Sequence, residues 1–464
     1  MKTIRSILAM MAGLLLPGLL ASCHPAVSVH PLDTKADSET AEPRIEGNWE
    51  SPNFDEIGTE KEIMLRWHIE PNQWGGGYQV EMRPPQDDKS MPNEGWGRTV
   101  YDVKLVPLDG KLFFDAQFDE EKFGKDSRDA SGLPAGVAPL HLIGRIWVET
   151  DFLRIVLLHS SWVDDKATQT LPRVSIGMPG KYDENLAVIT PSTEELRKFV
   201  VQHADTPDAF SYDTYLCRSG TDCAARAYED MLSRKPHDGE VLNDAAKLYM
   251  TRGNYARAVE LWRRCAEIDP ANASWRSDVG DGLLFHRDFA GARLEYAAAQ
   301  KLDPKGTYYQ ALTAWSYFLE GDFDGAAKAL EAYLDSNPDP GADETLLAYF
   351  VLQRQGRKVE AEAILKEQTA RFRGSAESHL LLLEASGRLT SSLWQITPAR
   401  WYKRESHFWT AQRALLKGDI KSAASSLGEA VNAGDNGDLL TLAARIELER
   451  LPVQATEKPV PKAP

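Results

Sequence analysis

The sequence predicts a multidomain chain, all-β then all-α: an N-terminal antiparallel β-barrel or sandwich followed by a C-terminal α-solenoid. Three observations predict it. Apolar residues recur at every second position from about Ile45 to Leu186. Amphipathic stretches closed by Pro236, Pro270, Pro304 and Pro338 then repeat every 34 residues. A chain of 464 residues also exceeds what one hydrophobic core organises.

The first residues, "MKTIRSILAMMAGLLLPGLLASC", carry Lys2 and Arg5, an apolar run from Ile7 to Leu20, and small residues before Cys23. This is the layout of a secretory signal, too short and too weakly flanked for a permanent transmembrane helix. Leu20-Ala21-Ser22-Cys23 resembles the lipobox of bacterial lipoproteins. The resemblance implies that residues 1–22 are removed and that Cys23 carries diacylglycerol and a palmitate-type acyl group. Several acyl chains, at about 0.8 kcal/mol per buried CH2, hold a protein on a bilayer essentially permanently. His24 stands where such lipoproteins of the inner membrane carry aspartate, so the resemblance implies the bacterial outer membrane, facing the periplasm. The alternative is an ordinary signal peptide with a chance cysteine. No other stretch offers about 18 consecutive apolar residues.

The formal net charge is -16, and cleavage of the signal would remove two cations and no acid. Such a surface repels phosphates and argues against a nucleic-acid partner. Cys217 and Cys223 flank Ser219-Gly220, which reads as a tight helix-helix turn that a disulfide would staple in an oxidising compartment. Zinc is the competing reading, but a lone C-x5-C lacks four ligands. Cys265 falls on a core position of a repeat and reads as a buried small hydrophobe.

Residues 23–44 are rich in Pro, Ser, Thr and charge and read as a lipidated flexible tether spanning about 25 Å. The β-domain follows over 45–190. Ile63, Leu65, Trp67 and Ile69 alternate with polar residues, as do Tyr78, Val80 and Met82 after the Gly75-Gly76-Gly77 run. Further strands are expected at 100–107, 111–118, 140–149, 152–159 and 186–190. "GNW", Gly47 to Trp49, resembles the G-x-W of lipocalin-like barrels. That resemblance implies a small barrel with an apolar cavity; a sandwich or a filled barrel that binds nothing is the alternative. Ser192 three residues before Glu195 is a capping box and opens a connecting helix within 191–211.

The solenoid is placed at 212–450. Ala246, Tyr249, Gly253, Ala258 and Trp262 recur as Gly280, Ala292, Tyr296 and Ala299, and again as Ala314, Tyr317, Gly321, Phe323, Ala326 and Leu330. In period and in residue type these units resemble the tetratricopeptide repeat (TPR). Small side chains let two helices approach, large ones fill the space between hairpins, and each proline ends a helix because it has no amide proton. A single hairpin cannot bury its apolar stripe, so stacking is obligatory. Residues 342–367 read as a degenerate fourth unit and 407–431 as a later one, with an inserted loop at 386–405 between them. A capping helix is expected at 438–450 and a disordered tail at 452–464.

By the TPR resemblance the partner groove is lined by Asn243, Lys247, Met250, Ser277, Asp281, Tyr308, Trp315, Phe318 and Phe350. Its first half is polar and its second aromatic, which suits an extended or helical segment of another protein. Trp315, Phe318 and Phe350 packing against other parts of the chain is the competing reading. No G-x-S-x-G, H-E-x-x-H, P-loop or G-x-G-x-x-G occurs, and the histidines are scattered, so no catalytic residue, metal or cofactor is expected. His159, Ser160 and Ser161 read as neighbours on a strand, whose side chains point to opposite faces, and Asp164-Asp165 as a solvated loop. The function expected is a non-enzymatic, lipid-anchored scaffold for periplasmic or envelope proteins and peptides. The alternative is a carrier of an apolar ligand in the β-domain, with the repeats serving assembly.

Overall fold

The computed structural model describes residues 25–37, 40–54, 63–72, 76–83, 99–118, 140–166, 171–177, 185–337, 340–371, 376–387 and 400–452. The signal peptide, Cys23, His24, Pro338 and the tail from 453 lie outside them. The chain divides into two units, Met1–Ala227 and Tyr228–Pro464.

In the first unit, eight antiparallel strands close into a barrel. The strands β2 (Gly47–Pro52), β3 (Ile63–Pro71), β4 (Tyr78–Arg83), β5 (Thr99–Leu108), β6 (Lys111–Phe118), β7 (His141–Val148) and β8 (Phe152–Leu158) run as a meander, and β11 (Phe210–Arg218) pairs with both β8 and β2 to close it. Alternation drives this: Ile69, Val80, Met82, Tyr101, Leu105 and Phe114 turn inward, while Arg66, His68 and Glu70 face solvent. Asp109 and Gly110, both at positive φ, make the two-residue turn that pairs Leu108 with Lys111. Gly144 leaves room for Phe114 inside the barrel, because a β-carbon there would collide with the ring.

Three expectations change here. Residues 25–37 and 40–45 are not a free tether: β1 (Val27–Ser28) pairs with β7 and β10 (Asn185–Ile189), and Ala26, Leu32 and Ile45 are buried. The reason is a polar partner on the barrel's outer wall. The buried Asp115 carboxylate accepts from the Leu32 amide at 2.5 Å and from His141 Nδ1 at 2.6 Å, and Arg197 reaches Asp37 at 2.7 Å. The expected connecting helix, α2 (Thr193–His203), has its Ser192–Glu195 capping box, but it covers the barrel instead of leaving it. Its Leu196, Phe199 and Val200 join Val106, Phe113 and Ile143 in a second core, together with Val163 of α1 (Ser160–Lys166). Ser160 opens this short helix and accepts from the Ala187 amide, and Asp164 pairs with Arg173 at 3.0 Å, so neither the strand nor the solvated loop read at 159–165 is what forms. Arg173 belongs to β9 (Arg173–Gly177), which pairs with β10. The chain then returns as β11, so the β-domain ends near Arg218 and the solenoid does not begin at 212.

Cys217 lies in β11 and Cys223 opens α3 (Cys223–Arg234). A disulfide joins them across Cα atoms 5.4 Å apart, with Gly220 at positive φ between. The stapled turn therefore joins a strand to a helix, not two helices.

The second unit is built of helical hairpins: α4 (Gly239–Thr251) with α5 (Tyr255–Ile268), α6 (Ala273–Phe285) with α7 (Phe289–Leu302), α8 (Tyr308–Glu320) with α9 (Phe323–Ser336), and α10 (Ala342–Arg354) with α11 (Lys358–Arg371). After α12 (Ala376–Ala385) come α13 (Arg400–Leu416), α14 (Ile420–Ala433) and α15 (Leu439–Arg450). The helices before Pro236, Pro270 and Pro304 stop at Arg234, Ile268 and Leu302. Ala246, Ala258, Ala292, Ala314 and Ala326 are fully buried at the close approaches. Gly280 lets the Tyr296 ring lie against its backbone. Asn254, Asp288 and Asp322 each cap the second helix of a hairpin by accepting from the amide three residues on. The expected loop at 386–405 is already helical from Arg400. Cys265 is fully buried, and burial pushes its thiol up to about 11.

Candidate binding sites

The face read as the partner groove is largely occupied by the chain's own C-terminal helices. Trp315, Phe318 and Phe350 are at most 2% exposed. The reason is α13, whose Trp409 ring lies 5.6 Å from Phe350 at an interplanar angle of 9° and 6.1 Å from Trp315, with Phe408 alongside. The Trp409 indole N–H donates to Asp343 Oδ1 at 2.9 Å. The aromatic half of the expected groove is thus an internal core, and what packs on it is neither a partner nor an irregular loop but a regular helix.

The turn-side ends of four successive hairpins are tied by α15 and the turn before it. Asn436 donates to Thr251 O at 3.3 Å and accepts from the Tyr255 hydroxyl at 3.0 Å. Arg287 forks onto Glu449 at 2.6 and 2.7 Å. Arg450 donates to the carbonyls of Phe318 and Leu319, and Arg354 pairs with the buried Glu447 while reaching Gln412 at 2.6 Å. The last turns of α4, α6, α8 and α10 leave free carbonyls, and several of these contacts satisfy them. The capping helix is therefore a strap along a rim.

The polar half of the face stays partly open. Met250 and Ser277 are buried, and Asn243 accepts from the Trp262 indole at 3.0 Å. Lys247 is exposed and pairs with Asp244 at 3.3 Å, and Tyr308 is 58% exposed. Half-buried carboxylates form the floor. Burial pushes Asp281 up to about 7, reinforced by Asp278 and opposed by the Tyr296 hydroxyl, which donates to it at 2.8 Å. Burial also raises Asp278 to about 6 against the pull of Lys247. Glu344 rises to about 7 through burial and then the Asp343 charge. Burial and Asp343 lift Glu405 to about 8. The neighbouring Arg404 is committed to Asp438 at 2.9 Å and Glu405 at 3.5 Å.

The barrel holds a cavity of about 100 Å³, lined almost wholly by apolar side chains, among them Trp67, Ile69, Met82, Phe114, Ile146 and Leu157. The Trp67 Nε1 atom is buried and has no hydrogen-bond partner. Tyr78 contributes to the surrounding core, its hydroxyl accepting from the Glu42 amide at 2.6 Å. Among the described residues no group of His, Cys, Asp and Glu side chains could hold a metal ion, and no helix is long and apolar enough to cross a membrane.

No protein-family model matches the chain. Over 110 residues, 24% of this chain and 45% of the relative, it is 30% identical to a TPR repeat-containing protein of Pseudomonas aeruginosa. The chain thus spans just under half the length of that relative. Among solved structures it is similar to MamA, at 20% identity and TM-score 0.30, over 36% of this chain and 91% of that one. It is similar to YrrB, a TPR protein with an unusual peptide-binding site, at 14% and 0.27 over 48% and 98%. The pilF protein of Pseudomonas aeruginosa matches at 14% and 0.29 over 55% and 95%. The chain is an antiparallel β-barrel followed by a helical unit of the tetratricopeptide type.

Proposed function

We propose that the chain is a non-enzymatic scaffold, anchored by lipid on Cys23 to the bacterial outer membrane and facing the periplasm, that binds other envelope proteins through its helical repeats. One observation carries the choice of surface: the exposed Tyr308 stands over the half-buried carboxylates of Asp278, Asp281 and Glu344, where α13 and α15 leave the repeat face uncovered. The fixed cations beside this floor, Lys247 and Arg404, already have partners. Crowded carboxylates without further counter-charge favour a basic segment. The lipid anchor and its compartment rest on the signal and lipobox pattern ending at Cys23.

Capture from envelope membranes tests the surface. Wild type and a Glu267→Gln control, altered at an exposed acid elsewhere, should retain the same proteins, and an Asp281→Asn, Tyr308→Ala variant should lose them. Retention of the same set by that variant would remove the surface from consideration. Metabolic labelling with palmitate tests the anchor: Cys23→Ser should lose the label and leave the membrane fraction.

A further inference from the structure

The barrel interior combines two defects in one place. A void of about 100 Å³ deprives the side chains around it of contacts on one side. The Trp67 indole N–H, on the wall of the same void, is buried and donates to nothing. A buried donor left unmade is costly, and elsewhere this fold does not tolerate one on an indole. Trp49, directly opposite Trp67 on the neighbouring strand, donates to Ile45 O at 2.7 Å. Trp262 donates to Asn243 at 3.0 Å and Trp409 to Asp343 at 2.9 Å. The exception falls where the packing is also incomplete.

We propose that the barrel interior is a binding site for a small neutral molecule or chain end, with its apolar part in the cavity and a carbonyl or ether oxygen accepting from Trp67 Nε1. One occupant cures both defects. The ligand is neutral because no charged side chain lines the cavity, and an unpaired ion there would lose its hydration without compensation. Burial raises the Tyr101 phenol in the same wall well above its ordinary range, so it too stays uncharged. Size follows from volume. An apolar cavity of about 150 Å³ encloses benzene in another protein, so this one suits a branched group of roughly four or five carbons. The site stands independently of the repeats and of any protein partner.

The test uses the full chain with 3-methyl-2-butanone, a five-carbon ketone, and cyclopentane, which has the bulk without the acceptor. In nitrogen-edited proton spectra, the indole signal absent from Trp67→Phe belongs to Trp67. The ketone should move that signal downfield saturably and raise Tm, whereas cyclopentane should raise Tm without a downfield shift. In Trp67→Phe the ketone should bind about tenfold more weakly, the loss of one hydrogen bond, with cyclopentane unchanged. Ala116→Phe, which fills the cavity, should abolish both responses; if it does not fold, the Trp67→Phe comparison decides. Absence of a saturable response to either probe in wild type, or equal ketone affinity in wild type and Trp67→Phe, would overturn the site.

Discussion

The Trp409 indole lies flat on the Phe350 ring, with centroids 5.6 Å apart and planes 9° from parallel. One ring comes from the fourth hairpin and the other from a helix more than fifty residues later, so this stack, rather than a partner, covers the aromatic end of the repeat face. Trp409→Ala removes the ring, its hydrogen bond to Asp343, and the cover over Trp315. The expected cost is about 3–5 kcal/mol in the stability of the helical unit. Urea unfolding followed by far-ultraviolet circular dichroism measures it. A loss below about 1 kcal/mol would mean that α13 does not hold the face closed.

Stability should also depend on pH through the floor of the open half. Asp281 and Glu344 are held near 7, above the ordinary carboxylate range, so the folded unit binds protons that the unfolded chain has released. Their contribution is fully present below about pH 4 and is lost as pH rises through 7. The double variant Asp281→Asn, Glu344→Gln should therefore gain stability over wild type between pH 5 and pH 8. Thermal unfolding of both proteins across that range gives the difference. A constant difference would show that these carboxyls do not titrate in that window.

The repeats were legible because their physics is local. Small residues at close approaches, prolines after helix ends and a shared 34-residue period are written into each unit. The caps Asn254, Asp288 and Asp322 have the same period and could have been found by the same alignment of units. Seven of the barrel strands were legible through alternation. The closing strand β11 was not, although Phe210, Tyr212, Thr214 and Leu216 alternate there, because Cys217 and Ser219-Gly220 suggested a helical turn. The docking of Leu32 on Asp115, 83 residues away, and of Trp409 on Asp343, 66 residues away, depends on tertiary pairing that no periodicity encodes. The partner groove was misjudged for that reason: helix spacing identified which side chains share a face, but not that the same chain returns to cover it.

The Cys217–Cys223 disulfide closes a short loop at the point where the barrel's closing strand gives way to α3. Chain-entropy arguments assign a loop of this size about 2 kcal/mol. Reduction, or Cys217→Ser with Cys223→Ser, should lower the stability of the β unit by about that amount. The urea midpoint of the near-ultraviolet signal, with and without reductant, checks it. An unchanged midpoint would show that the strand–helix turn is held by its other contacts, such as Arg218 on the carbonyls of Arg44 and Glu46.

The strap offers a contrast between two carboxylates on one helix. Glu447 is buried, with 3% of its side chain exposed, and lies between Arg354 and Arg450; Glu449 pairs with Arg287 at the surface. Burial alone would raise the Glu447 carboxyl, but the two guanidiniums outweigh it and hold it below its usual range. Removing one partner of a buried pair leaves an uncompensated charge, so Glu447→Gln should cost about 3–5 kcal/mol. Glu449→Gln breaks an exposed pair and should cost less than about 1 kcal/mol. Hydrogen exchange at the carbonyl-bonded ends of α4, α6 and α8 adds a spatial readout, with protection falling in the first variant and not in the second. Equal losses in the two variants would mean that the strap is held by apolar packing of Leu440, Leu442 and Ile446 rather than by the Arg354–Glu447–Arg450 cluster.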